Sequence, residues 1–251
     1  MNREQRQEML ERLVEMPSIE LKMNVPADQR MALSSLHFDP MDAKLREVYF
    51  FDTPDLTLFT NGVVTRARRT QGDDDDTVVK LRPAEPKTLP PEVRDSKNLK
   101  IEMDVTRGSY VVSASLKGAR PTGTVREAVT GDRPLEKLFT KEQRAFFAEH
   151  APAGVGWQDL VPLGPVLVVV LKWVPEGLSN KTTIEQWHYP GQVPLVELST
   201  KATPQNVLKV YADAVKFVAG HGLSAAGAQE PKTRKALEFF TRNHPAAAAK
   251  S

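Results

Sequence analysis

The sequence predicts an α+β chain dominated by antiparallel strands, closed into a barrel with a charged interior and flanked by helices. Three observations lead there. Val48 to Arg82 holds an alternating run, an Asn61-Gly62 turn, a second run, an acidic loop and a third run, the pattern of consecutive antiparallel strands. Within it, Arg66 and Arg68 are two residues apart, as are Lys80 and Arg82, and residues at i and i+2 of a strand share a face. Val63, Thr65, Ala67, Val79 and Leu81 fall on the other face. The same spacing recurs elsewhere, in Glu20 and Lys22 of SIELKMNV and in Lys100, Glu102 and Asp104 of KIEMDV, and single charges stand at Lys172, closing VLVVVLK, and at Glu197 in PLVELS.

In chain order, residues 2–16 carry Met9, Leu10, Leu13 and Val14 on a helical period, and Pro17 ends that helix. A strand is expected over Ser18 to Val25, then helix or loop from Ala27 to Leu36. Val48–Phe51 and Val63–Thr70 form the hairpin. Asp73–Asp76 reads as a solvated tip, because four like charges repel one another. Thr77–Arg82 is a strand, Ala84–Asn98 a proline-rich loop or lid, and Leu99–Arg107 a strand. In Pro134–Glu149, Thr140 with Gln143 is a capping box opening a helix whose apolar side is Phe139, Ala145, Phe146 and Phe147. Strands resume at Val166–Val174, Thr182–His188 and Leu195–Thr200. Thr203–Gly220 is amphipathic through Val207, Leu208, Tyr211, Val215 and Val218, Lys232–Asn243 is a basic helix, and the alanine-rich tail frays. The organisation expected is one domain over residues 1–251: an N-terminal helix (1–16), a first barrel half (17–110), a helical insert (125–160), a second half (165–201) and C-terminal helices (203–243).

Composition narrows the function. A formal net charge of +2 over 251 residues gives no global field for a nucleic acid polymer, so the cationic strands are a local feature. The chain has no cysteine, which excludes disulfides, zinc thiolates and thiol catalysis and fits a cytoplasmic protein. The charged start has no apolar core of a secretory signal. Val166–Leu171 is far short of the ~20 residues a membrane helix needs. The five histidines lack metal-like spacing. Asp52 and Asp55 in FDTPDL read as turn formers around Pro54. Trp157, Trp173 and Trp187 read as packing residues.

YFFDTPDLTLFTNGVVTRAR resembles the hairpin of the CYTH domains, the triphosphate tunnel metalloenzymes, which read YFDTPD-x-L-x-x-x-G-x-x-L-R-x-R. The resemblance runs in order along nearly the whole chain. It implies a closed antiparallel tunnel of eight strands, and an activity among inorganic triphosphatases, thiamine triphosphatases and class IV adenylyl cyclases. It also implies Mg²⁺ or Mn²⁺ on Glu20, Glu102, Asp104 and Glu197, with Arg66, Arg68, Lys80, Arg82, Lys100 and Lys172 on the phosphates. Lys22, with Glu20 beside it, is implied to lie at the reacting phosphoryl group. The chemistry agrees: clustered carboxylates call for a hard divalent ion, and arginine's planar fork grips two phosphate oxygens at once.

The family's E-x-E-x-K reads here Ser18-Ile-Glu20-Leu-Lys22. Ser199 stands where many members have the second glutamate of a late E-x-E, and Val174 where an arginine is common. The expected function is metal-dependent hydrolysis of inorganic triphosphate or an organic triphosphate. Binding of polyphosphate or a nucleoside triphosphate without turnover, and a cyclase-like activity, stand as the alternatives. Glu185, in TTIEQW, is a further candidate for the charged face. The Lys232, Arg234 and Lys235 helix either closes one end of the tunnel or is exposed.

Overall fold

The computed structural model describes residues 3–224 and 231–243. The expected alanine-rich tail lies outside them. Among the described residues nine strands form: β1 (Ile19–Val25), β2 (Lys44–Asp52), β3 (Val63–Thr70), β4 (Asp75–Leu81), β5 (Leu99–Thr106), β6 (Ser109–Arg120), β7 (Val161–Trp173), β8 (Thr182–His188) and β9 (Leu195–Ala202). The helices are α1 (Arg3–Glu15), α2 (Thr57–Thr60), α3 (Pro91–Arg94), α4 (Thr124–Thr130), α5 (Leu135–Leu138), α6 (Lys141–His150), α7 (Val207–Gly220) and α8 (Lys232–Arg242). The strands hydrogen-bond in the order β1-β5-β6-β4-β3-β2-β7-β8-β9 and close into a barrel.

Two expectations change. The barrel has nine strands rather than eight. The added one is β6, whose small residues Ser113, Ala114, Ser115 and Gly118 blur its alternation. The barrel is also mixed, because β1 and β5 run parallel, with Ile19 opposite Met103 and Glu20 opposite Asp104.

The chain divides into two compact units. One comprises the described residues of Met1–Lys44, Ile101–Val112 and Val168–Glu230; the other comprises those of Leu45–Lys100, Ser113–Leu167 and Pro231–Ser251. In the first unit, Ile19 of β1, Met103 of β5 and Val112 of β6 pack with Leu13 and Met16 from the α1 end and Val207 and Val210 of α7. A second cluster joins Val25, Ile184, Val196 and Leu198 to Leu33 and Leu36 of a 3-10 segment and to Leu223. Burying each such side chain contributes about 1.5–3 kcal/mol. The charged residues of β1 and β5 have the opposite phase, so Glu20, Lys22, Glu102 and Asp104 face away from these helices. On α7, Leu208, Tyr211 and Val215 are exposed, whereas Val207 and Val210 are buried, so its buried stripe is displaced from the expected one.

In the second unit, Val63, Ala67, Val79, Ala114 and Leu116 pack against Val125, Leu138, Phe139, Phe146 and Phe147 of the α4–α6 region. Trp157 completes this cluster, 4.5 Å from Phe139 and 4.1 Å from Phe147 between ring centres. The Thr140–Gln143 capping box forms as expected. Gln143 also ties α6 to the sheet: its Oε1 accepts from Thr77 Oγ1 at 2.8 Å, and its Nε2 donates to the Leu116 carbonyl at 3.0 Å. The approach is close because β6 offers Gly118 there, where a Cβ would stand 2.6 Å from Gln143 Oε1.

The β2–β3 connection is longer than a two-residue turn and contains α2. Asp52 organises it from a buried position, as a structural residue. Its carboxylate accepts from the backbone N–H groups of Thr53 at 2.8 Å and of Leu58 and Phe59 at 2.9 Å. Burial pushes the Asp52 carboxyl up, and these bonds pull it partly back. Gly62 ends the connection at φ 77°, and its carbonyl accepts from the Arg82 N–H at 2.8 Å.

The acidic tip is shorter than expected. Asp73 and Asp74 are exposed, but Asp75 is buried at the start of β4, where its carboxylate accepts from the Val125 N–H at 2.9 Å. No helix among the described residues is long and apolar enough to cross a membrane.

Candidate active site

Within the first unit, strand register gathers the carboxylates. The parallel β1–β5 pairing sets Glu20 beside Asp104. Ser18, just before β1, donates from its hydroxyl to Glu102 Oε1 at 3.2 Å. Glu20, Glu102 and Asp104 can each offer an oxygen such that all three lie within 4.8 Å of one another. This is the metal-capable group of His, Cys, Asp or Glu among the described residues, and its donors are all hard oxygens, as Mg²⁺ or Mn²⁺ prefers. Glu197 is buried on β9 opposite Asn24 and stands outside that trio.

Lys22 sits in the middle of this charge. Its Nζ is 3.1 Å from Glu20 Oε2 and 3.1 Å from Asp104 Oδ1. Burial disfavours its ammonium form, but Asp104, Glu20 and Glu197 more than offset that and hold its pKa above the ordinary lysine value. Lys22 is therefore a fixed cation at neutral pH.

Lys201 also reaches the cluster, a position that sequence reasoning passed over. On β9 it lies opposite Glu20 in the β1–β9 register, and its Nζ is 2.7 Å from Glu102 Oε1. Its phase along PLVELSTK, four residues after Glu197, was the available signal. Ser199 pairs with Lys22 across the same ladder, and Glu185 of β8 pairs with Glu197. The Glu185 carboxylate accepts from Trp187 Nε1 at 3.0 Å.

In the second unit, the β3–β4 register sets Lys80 opposite Val64, and Arg66 opposite Val78. Arg66, Arg68 and Lys80 therefore share the face turned away from α4–α6, and all three are half-buried. Arg82 follows directly after β4 at the same phase. Arg68 is engaged across the ladder: its Nε lies 2.8 and 3.0 Å from the two Asp76 oxygens, and its second terminal nitrogen is 2.7 Å from Oδ1. Asp76 is thus a strand residue with a partner, where part of a solvated acidic tip was expected. Lys100 lies on β5 at the same strand phase as Glu102 and Asp104. Lys172, a residue of the first unit, lies near the end of β7, exposed. On α8, the Arg234 guanidinium stands 5.4 Å over the Phe59 ring.

No protein-family model and no curated protein sequence matches the chain. Solved structures share its fold. One, from Bacillus halodurans and described as a "putative adenylate cyclase", superposes with a TM-score of 0.61 at 13% identity, covering 87% of this chain and 98% of its own. Another, HpAC1 from Hippeastrum, is described as a "putative adenylyl cyclase" that reveals a dominant triphosphatase activity. It superposes with a TM-score of 0.55 at 19% identity, covering 84% of this chain and 91% of its own. At these identities the likeness is one of fold.

Proposed function

We propose that the chain is a divalent-metal-dependent hydrolase of inorganic triphosphate or an organic triphosphate, a divergent CYTH-type protein. The observation that carries this reading is the trio Glu20, Glu102 and Asp104, with mutually close oxygens, around the buried ammonium of Lys22. A cluster of this charge calls for a counter-cation, and a divalent ion held there would in turn attract phosphate oxygens. The triphosphatase activity described for HpAC1, on the same fold, supports the same class of chemistry.

In this reading Glu20, Glu102 and Asp104 hold Mg²⁺ or Mn²⁺, with Glu197 adding charge nearby. When bound, such an ion polarises phosphoryl oxygens and lowers the pKa of a bound water. The protein's own part is placement and charge neutralisation, which is most of what phosphoryl transfer with a loose transition state requires. Lys22 presents a permanent positive charge at the reacting phosphoryl group. Arg66, Arg68, Lys80, Arg82, Lys100 and Lys172 grip the remaining phosphate oxygens, the arginines by two parallel N–H donors each.

Phosphate release from tripolyphosphate, ATP and thiamine triphosphate, measured with Mg²⁺ and with Mn²⁺, tests this. Turnover of at least one of them that depends on the ion is expected. Folded protein inactive on all three overturns the hydrolase reading. A second reading, binding without turnover, is favoured by Ser18 in place of a carboxylate and by Lys201 engaging Glu102. It predicts calorimetric binding of tripolyphosphate with no product. A cyclase reading predicts cyclic AMP and pyrophosphate from ATP, which chromatography separates from orthophosphate.

A further inference from the structure

Lys201 alters the charge of the cluster in a way that Lys22 alone does not. Glu102 Oε1 accepts two hydrogen bonds, from Lys201 Nζ at 2.7 Å and from Ser18 Oγ at 3.2 Å. The oxygen is thereby committed to protein donors on two sides. The Lys201 position is set by backbone pairing, because it lies opposite Glu20 in the β1–β9 ladder. Its side chain is 54% exposed while that of Glu102 is 12% exposed, so the lysine stem reaches from the solvent side onto a buried carboxylate.

Formal charge then counts the ions the cluster can take. The carboxylates that act on the two lysines, Glu20, Asp104 and Glu197 on Lys22 and Glu102 on Lys201, carry four negative charges, and the lysines carry two positive ones. The residue is −2, the charge of one divalent cation. We infer that Lys201 is a positioning residue, a tethered cation that holds Glu102 Oε1 where a second metal ion would otherwise bind and confines the cluster to a single divalent ion.

The inference rests on the metal-dependent reading above and deepens it. Removing the Lys201 charge leaves Glu102 to attract a second cation, and the interaction of a nearby unit charge with a dication is large at a half-buried site. Mn²⁺ is titrated onto the full-length protein by calorimetry, with unbound Mn²⁺ counted by electron paramagnetic resonance. Wild type is expected to take up one Mn²⁺ per chain. Lys201→Gln and Lys201→Met are expected to bind Mn²⁺ about tenfold or more tightly, or to take up a second ion, and Lys201→Arg to match wild type. Lys201→Gln retains a donor for Glu102, so it reports on the charge even where the methionine variant does not fold. A merely structural role for Lys201 would lower or leave unchanged the Mn²⁺ affinity, never raise it.

Two ions on wild type, or unaltered or weakened binding in folded Lys201→Gln, overturns the inference. In that case, ion-dependent hydrolysis by wild type would leave the functional reading standing. Absence of Mn²⁺ binding and of hydrolysis in every form overturns both.

Discussion

Lys22 Nζ stands 3.1 Å from an Asp104 carboxylate that is 1% exposed, on a strand running parallel to its own. Burial opposes the lysine charge and the surrounding carboxylates outweigh it, so its pKa lies above the ordinary 10.5. A raised lysine pKa contributes stability that is complete below the unfolded value and is lost as pH rises through the folded value. Lys22→Met leaves buried carboxylates without their cation, at a cost of about 3–5 kcal/mol. Thermal melts of both proteins should show a constant gap from about pH 7 to pH 9, narrowing only above 10.5. A gap that closes near neutrality would contradict this account of the pair.

Arg66 and Arg68 of β3 make distinct predictions. Arg66→Ala is expected to weaken tripolyphosphate binding about tenfold or more, the loss of a charge-assisted contact worth about 1.5–3 kcal/mol, with the fold intact. Arg68 is already held by Asp76. Asp76→Asn should therefore strengthen tripolyphosphate binding by releasing the Arg68 fork. Calorimetry on the two variants decides this, and equal affinities throughout would remove both arginines from the phosphate site.

Metal dependence is testable by withdrawal. A chelator should reduce triphosphate hydrolysis to background, and excess Mn²⁺ should restore it. Asp104→Asn should lower turnover on the order of 10²–10³ without changing the far-ultraviolet circular dichroism. Turnover that survives both treatments would place the chemistry elsewhere.

Gly118→Ala is expected to destabilise the second unit by about 1–3 kcal/mol, the range for overpacking. The added Cβ would lie 2.6 Å from Gln143 Oε1 and 2.8 Å from both Thr140 and Thr77 side chains. Denaturant melts measure this directly, and an unchanged midpoint would show that α6 can move away from β6 at no cost.

Much of the architecture was legible because local phase determines which side chains share a face. Apolar positions at one phase of β1, β3, β4 and β5 found helices to pack on, which left the charged phase on the other side. What escaped depends on long-range pairing. β6 declares itself through its pairing with β4, since Ser113, Ala114, Ser115 and Gly118 interrupt its own alternation. Asp76 belonged to a run of four aspartates that read as a loop, yet the β3–β4 register placed it opposite Arg68. Lys201 fell one residue past the expected Leu195–Thr200 strand, and its partner Glu102 lies 99 residues away.

The same parallel pairing bears on how the molecule assembles. Ser18 and Glu102, 84 residues apart in the chain, meet only once β1 docks beside β5, and no short loop can bring them there. Contacts of such sequence separation are slow to form, since the entropy of loop closure is lost before any favourable contact compensates for it. The β2–β3–β4 meander, built from neighbouring segments, is expected to organise first. Divalent ions added during refolding would then slow unfolding of the finished protein while leaving the refolding rate unchanged.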